Sequence, residues 1–300
     1  MKTAILIPAY NNASTLGKVI GLIRHVAKWS FPKDKFYILV ANDGSTDDTD
    51  KVLQYILGLI NQEGSNIKLN ADSWAINEGV GSITKKGLEA LSCCDEKFDF
   101  LVKLDGDGQH NPIHLWAMLY KLKAGADLVI ASRFHKKSEQ VDTPLDRMLL
   151  NRIFVGLVRE ITGWKITDAR SGFMGMKWKH AKAMAPDLIT KRYGIPMEIL
   201  LRLWKMKPEA KVAEIPHPAL YGGESLTKEH RQRYHDGGET IEQKSARVAE
   251  ASAAQVGGDD GGVGIAGIGQ QVDGDAPLRA IANGIGADAH TGRLDEHLLQ

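Results

Sequence analysis

Two carboxylates, Asp105 and Asp107, are separated by a single glycine in the stretch Phe100-Leu101-Val102-Lys103-Leu104-Asp105-Gly106-Asp107-Gly108-Gln109-His110. Carboxylates held that close repel each other unless a cation lies between or beside them. Hard oxygen ligands select Mg²⁺ or Mn²⁺, and Mg²⁺ is usually held by one or two carboxylates together with substrate phosphates. Gln109 extends the same polar segment. These residue types point to a divalent cation gripping a diphosphate. The competing reading is a polar Asx/Gly turn that caps the next helix, which is the commoner role of an isolated Asp-x-Asp. The surrounding elements decide between the two.

The run that opens at Phe100 is apolar and reads as a buried strand. Gly106 and Gly108 let the backbone turn tightly behind it, and Pro112 starts the following helix. The carboxylates therefore sit at the carboxyl end of a strand, where open α/β sheets place their ligands. Other short apolar runs read as strands at Thr3–Ile7, Phe36–Ala41, Ile67–Leu69, Ala126–Ala131 and Val212–Pro216. Helical spacing of apolar residues separates them, as in Leu16, Val19, Ile20, Ile23 and Val26. Strand and helix alternate, which predicts an α/β fold with a mostly parallel central sheet flanked by helices. The polar turns after the first, second, fourth and fifth strands then gather on one sheet edge. Residues 142–165 differ: apolar residues such as Leu149, Ile153, Phe154 and Leu157 interleave with Arg147, Arg152 and Arg159 in an amphipathic, basic helical stretch. Its face either packs in the core or meets a lipid surface.

The chain of 300 residues is 43% hydrophobic and 25% charged, enough for a full-sized core. A net charge of +1 provides no global field for nucleic acid, and no nucleic-acid partner is expected. The only cysteines, Cys93 and Cys94, are adjacent and suit neither a good disulfide nor metal-ligand spacing, so a reducing, cytoplasmic setting is expected. The apolar run at the N-terminus is too short for a signal peptide, and no run of 18 apolar residues occurs. Residues 236–300 contain no Phe, Trp, Tyr, Met or Cys. A globular domain over 1–232 and a Gly/Ala/Asp-rich, poorly ordered tail over 233–300 are expected.

Five segments occur in sequence: Ile7-Pro8-Ala9-Tyr10-Asn11, Asn42-Asp43-Gly44-Ser45-Thr46-Asp47, Asn77-Glu78-Gly79-Val80-Gly81, Leu104-Asp105-Gly106-Asp107-Gly108-Gln109 and Ala131-Ser132-Arg133. In that order and spacing they resemble glycosyltransferase family 2, over roughly residues 2–230. The resemblance implies the GT-A nucleotide-sugar fold. Ser171-Gly172-Phe173, Glu198 and Tyr221-Gly222-Gly223-Glu224-Ser225 resemble the branch of dolichyl-phosphate mannose and polyprenyl-phosphate glucose synthases. By the same resemblance, Pro8, Ala9, Tyr10 and Asp43 match positions that hold the nucleotide, with Asn12 and Lys85 counted beside them. Asp105, Asp107 and Gln109 match the segment for Mg²⁺ or Mn²⁺ and the diphosphate, and Arg133 a phosphate-facing arginine. Arg147, Arg152, Asp168, Ser171 and Glu198 are the acceptor-side candidates. Asn12 stands where the family usually has Glu, and Asn42 where it has the first of two Asp.

The implied reaction moves a sugar, with inversion, from a nucleotide-diphosphate donor to an acceptor. A polyprenyl phosphate is already anionic and needs no base, whereas a hydroxyl acceptor needs one, with Asp168 and Glu198 as candidates. A lipid acceptor implies peripheral contact with the inner face of a membrane. The competing classes are a nucleotidyltransferase and a non-catalytic nucleotide-sugar binding module. The first usually carries a Gly-rich, basic loop after strand one, and Pro8-Ala9-Tyr10-Asn11-Asn12 has neither glycine nor a basic residue. The second binds without turnover.

Overall fold

A computed structural model describes residues 1–61, 65–138, 143 and 145–218. The 233–300 tail, its boundary at 232, Tyr221–Ser225 and the start of the basic stretch at Asp142 lie outside the described residues. The strands are β1 (Lys2–Ala9), β2 (Lys35–Asp43), β3 (Ile67–Trp74), β4 (Phe100–Lys103), β5 (Leu128–Ser132), β6 (Met174–Lys177) and β7 (Val212–Pro216). The helices are α1 (Leu16–Ser30), α2 (Thr49–Ile60), α3 (Val80–Cys93), α4 (Leu115–Lys123), α5 (Leu145–Thr162), α6 (Trp178–Met184) and α7 (Ile195–Met206). They form the expected mostly parallel, helix-flanked α/β sheet, ordered β3-β2-β1-β4-β6-β5-β7.

Alternation along β1 shows how both sheet faces are buried. Ile5 and Ile7 join Ile20 and Ile23 of α1, Leu53 and Ile56 of α2, and Met118 and Leu119 of α4. Ala4 and Leu6 point the other way, to Ile83 and Leu88 of α3, Val155 and Val158 of α5, and Leu200 and Leu203 of α7. Strands covered on both faces read as continuous apolar runs, which is why β1, β2 and β5 are plain in the sequence.

Only β6 runs against the others, pairing antiparallel with β4 (Leu101↔Met176) and with β5 (Leu128↔Met176). This strand is not expected from the sequence. It is four residues long, contains no β-branched residue, and carries Gly175. That glycine is needed because a Cβ there would lie 2.7 Å from the sulfur of Met118. β3 also runs beyond its apolar Ile67–Leu69 core to Trp74, through Asn70, Asp72 and Ser73. It is an edge strand and can be partly polar. Because β1, β2, β4 and β5 run in one direction, the turns behind them share one sheet edge.

Candidate active site

Two cavities adjoin on that edge. One, of about 260 Å³, is lined by Pro8, Ala9, Tyr10, Asn12, Asp43, Gly79, Asp105 and Asp107, with Arg192 and Tyr193 opposite. The second, of about 360 Å³, is lined by Lys103, Asp105, Asp107, Gln109, His110, Arg133, Arg147, Asn151, Arg170 and Tyr193. Val80, Asp105, Asp107 and Tyr193 belong to both.

The walls of the first cavity are set by hydrogen bonds between turns. Asn11 adopts φ 53°, and its side-chain oxygen accepts the N–H of Thr46 at 2.8 Å. The side-chain oxygen of Asn12 accepts the N–H of Tyr10, two residues before it, at 3.1 Å, which ties the loop after β1 back on itself. Asp43 is buried, and its two oxygens accept the N–H groups of Glu78 at 2.9 Å and Gly79 at 2.8 Å. Gly79 meets it at φ 97°, a conformation that favours glycine. Asn42 turns away: its amide donates to Asp50 at 2.7 Å, and Asn42 is not among the residues lining the cavity.

Between the cavities, the carboxylate of Asp105 lies 2.6 Å from the ammonium of Lys103. Its own N–H donates to Nδ1 of His110 at 3.0 Å, so that ring nitrogen carries no proton. Burial lowers the pKa of His110 against the pull of Asp105 and Asp107, consistent with a neutral ring. Burial opposes ionisation of Asp105, but Lys103 and its neighbours win and hold the carboxyl below its ordinary range. Asp107 is driven the other way, upward, by burial and by the charge of Asp105. Its Oδ1 accepts the N–H of Gln109 at 2.9 Å, and the electrostatic pull of His110 and Lys103 acts on it from nearby.

The fit to Mg²⁺ or Mn²⁺ follows from this donor set. Among the described residues no group of three or more His, Cys, Asp or Glu side chains is placed to hold a metal. One or two carboxylates beside a cavity suit a cation that draws its remaining ligands from a diphosphate and water.

Arg133 follows β5 and grips Asp168 bidentately, Nε to Oδ2 at 2.8 Å and Nη2 to Oδ1 at 3.0 Å. Asp168 also accepts the N–H of Arg170 at 3.0 Å. Arg170 lies over the ring of Phe154 on α5, 5.6 Å from its centroid.

The cavities gather Pro8, Ala9, Tyr10, Asn12, Asp43, Asp105, Asp107, Gln109, Arg133 and Arg147. Five other candidates line neither cavity. Lys85 donates to the carbonyls of Pro186 at 2.9 Å and Leu188 at 3.0 Å, tying α3 to the segment before α7. Ser171 is buried and donates to the carbonyl of Ala131 at 2.7 Å; its neighbour Gly172 lines the cavity instead. Glu198 accepts the N–H of Thr190 at 2.8 Å and Nε of Arg202 at 2.7 Å. Those bonds hold its pKa down against burial, and it braces a loop. Asp168 is committed to Arg133 and supports the wall from behind. Arg152 is exposed on α5 and lines neither cavity.

Lys103, His110, Asn151, Arg170, Arg192 and Tyr193 line the cavities without having been foreseen. For Lys103 a signal existed, a lone lysine inside an apolar strand run. Asn151 is one helical turn beyond Arg147 on the same face. Arg192 and Tyr193 had no local pattern to mark them.

The polyprenol monophosphomannose synthase of Mycolicibacterium smegmatis is 28% identical over 173 residues, 57% of this chain and 60% of that protein. The undecaprenyl-phosphate mannosyltransferase of Micrococcus luteus is 24% identical over 217 residues, 72% of this chain and 82% of that protein. The dolichol-phosphate mannosyltransferase of Pyrococcus furiosus is 25% identical over 218 residues, 72% of this chain and 56% of that protein. Among solved structures, glucosyl-3-phosphoglycerate synthase from Mycobacterium tuberculosis, in complex with Mn²⁺, uridine diphosphate and phosphoglyceric acid, superposes with a TM-score of 0.52. It shares 16% identity, with 88% of this chain and 81% of that chain covered, and carries the same fold. The model of glycosyl transferase family 2 matches residues 4–183, more than half of the chain, and the protein belongs to that family.

Proposed function

We propose that the chain transfers a sugar, with inversion, from a nucleoside-diphosphate donor to a polyprenyl-type phosphate presented at a membrane surface. The donor occupies the cavity of Tyr10, Asn12 and Asp43, and the acceptor phosphate the cavity of Arg133, Arg147 and Arg170. Relatives named as polyprenol- and undecaprenyl-phosphate mannosyltransferases support this reading.

The observation that carries it is the division of labour on α5. Arg147 and Asn151 face the acceptor cavity. Another side of the same helix exposes Leu149 (61%), Ile153 (50%), Leu157 (48%) and Ile161 (46%), spaced four residues apart. A phosphate headed by a long apolar chain fits a basic pocket beside an apolar stripe. Phe154, counted with that stripe in the sequence, instead packs against the core beneath Arg170. Among the described residues no helix is long and apolar enough to cross a membrane. The contact proposed is therefore peripheral.

In the reaction, an oxygen of the acceptor phosphate donates its electron pair to the anomeric carbon. The bond from that carbon to the donor diphosphate breaks, and its electrons leave on the diphosphate. Asp107, with Asp105 and Gln109 beside it, would hold a divalent cation, which would neutralise that charge. Arg133, held in orientation by Asp168, adds a fixed positive charge at the same wall. The acceptor needs no base because it is already anionic. Asp168 and Glu198, the two base candidates, are both occupied by other partners.

The test is a transfer assay with Mn²⁺ and a panel of UDP-, GDP- and dTDP-sugars. The acceptor is either a short polyprenyl phosphate in anionic vesicles or a soluble phosphate ester, 3-phosphoglycerate. Sugar should appear on the lipid. The pair Ile153→Glu with Leu157→Glu should cut vesicle-based transfer about tenfold or more, while hydrolysis of the donor without acceptor persists. Transfer to the soluble ester alone overturns the lipid acceptor and leaves a phosphate-directed transferase.

A further inference from the structure

Among the described residues that line the first cavity, three carry carboxylates, Asp43, Asp105 and Asp107, and one carries a cation, Arg192. Cations of the second cavity are already engaged within the protein: Lys103 with Asp105 at 2.6 Å, Arg133 with Asp168, and Arg170 over the ring of Phe154. Arg192 differs from them. It is exposed, and among the described residues its guanidinium has no carboxylate within ion-pair distance and no hydrogen-bond partner.

The backbone that carries Arg192 is fixed on both sides. Before it, the carbonyl of Lys191 accepts the N–H groups of Gly81 at 2.9 Å and Ser82 at 3.1 Å. After it, the carbonyl of Gly194 accepts the N–H of Glu198 at 3.1 Å. The stem of Arg192 lies against Gly79, where a Cβ would stand 3.0 Å from its Cγ. Gly79 is the residue whose N–H Asp43 accepts at 2.8 Å, so the side chain is rooted at the Asp43 end of the cavity. A nucleoside diphosphate with its base at Asp43 runs its phosphates past Arg192 toward Asp105 and Asp107.

We propose that Arg192 binds the donor's diphosphate, its guanidinium donating to phosphate oxygens from the wall opposite the Asp105–Asp107 turn. The proposal rests on the assignment of the first cavity to a nucleoside-diphosphate donor and supplies that cavity with a cation from the protein itself. A diphosphate brings negative charge to a wall lined by carboxylates, and Arg192 offsets it. The planar guanidinium matches phosphate oxygens bidentately, whereas an ammonium meets them as a point charge. Because the backbone on either side is already held, binding orders only the side chain.

Isothermal titration with the best-bound of UDP, GDP and dTDP, in the presence of Mn²⁺, tests this without an acceptor. Arg192→Gln should weaken binding about tenfold or more, and Arg192→Lys about threefold. Neither should move Tm by more than about 2 °C, since the side chain is exposed and unpaired among the described residues. Lys191→Gln removes the adjacent exposed cation, which lines neither cavity, and should bind as wild type does. Raising KCl from about 0.05 to about 0.5 M should weaken binding by Arg192→Gln less than by wild type, because a screened contact has been removed. Affinity in Arg192→Gln within about twofold of wild type, or an equal loss in Lys191→Gln, makes Arg192 a solvated surface charge and overturns the proposal. A loss with the salt dependence of wild type moves the contact to the base or ribose and overturns it as well. Wild type that binds none of the three nucleotides sinks the donor reading of the cavity, and the proposal with it.

Discussion

Asp43 illustrates how little of a residue's work is visible in its own neighbourhood. As a sequence feature it is an acid in a turn, able to accept a base N–H. In the fold its carboxylate also closes the gap between β2 and α3 by accepting from Glu78 and Gly79. Asp43→Ala leaves two N–H groups without acceptors in a buried site, at about 1–3 kcal/mol. Urea denaturation should show that loss, and affinity for the best-bound nucleoside diphosphate should fall with it. A variant as stable as wild type would mean the loop finds other partners. The residues legible in sequence, Pro8, Tyr10, Asp43, Asp105, Asp107 and Arg133, all sit within a few positions of a strand's carboxyl end. There, strand direction alone fixes which edge they reach. Lys85, Ser171 and Glu198 are placed by partners that no local spacing reveals. The oxygens that Lys85 contacts lie 101 and 103 residues away.

At the scale of elements, the segment between α6 and α7 matters most and was least legible. It carries Arg192 and Tyr193 to the cavities. Its seat is the start of α3, where Gly81 and Ser82 donate to the carbonyl of Lys191 at 2.9 and 3.1 Å. The backbones approach so closely that a Cβ on Gly81 would lie 2.0 Å from the carbonyl oxygen of Thr190. Since that neighbour is backbone, Gly81→Ala must displace the arm. The expected result is about tenfold weaker nucleotide binding, with less than about 2 kcal/mol lost in stability, because the core beneath is untouched. Isothermal titration alongside a thermal melt distinguishes this from general unfolding; unchanged binding would show that the arm does not touch the donor. The elements missed or shortened in the sequence share a cause. β6 is too short and too glycine-marked to show a period, and the polar half of β3 is stabilised by its place at the sheet edge. The long buried runs of β1 and β2 left no such ambiguity.

For the molecule as a whole, the acid limb of its stability should be set by histidines packed behind the Asp105–Asp107 turn. His114 is fully buried, neither of its ring nitrogens has a hydrogen-bond partner among the described residues, and its ring centroid is 5.0 Å from that of His217. Burial lowers its pKa from 6.5 to about 4. His217 is pushed well below its ordinary value by burial, with His114, His110 and Arg133 adding to the effect. It must stay neutral, because its Nε2 accepts the N–H of Asn111 at 3.0 Å. Nearby, Arg133 adds positive charge, while Asp105 and Asp107 face His110 and draw protons in the other direction. Below pH 6.5 the unfolded chain binds a proton that folded His114 refuses. Stability is therefore complete above that pH and falls as pH drops toward 4. For His114 alone the loss at pH 5 is about 2 kcal/mol, or roughly 4–8 °C in Tm for a domain of this size. His114→Phe keeps a ring of similar size and removes both unpartnered nitrogens. It should melt near wild type at pH 7.5, or slightly above it, and clearly higher at pH 5, flattening the pH profile. Asp127 gives the control at lower pH: ion pairs with Lys177 and Lys207, and the N–H of Lys211, hold its carboxyl far down despite burial. Its contribution disappears only below about pH 4, where Asp protonates in the unfolded chain. A pH 7.5-to-5 slope in His114→Phe as steep as in wild type would move the acid sensitivity away from this residue, and His217→Phe would then be the variant to read.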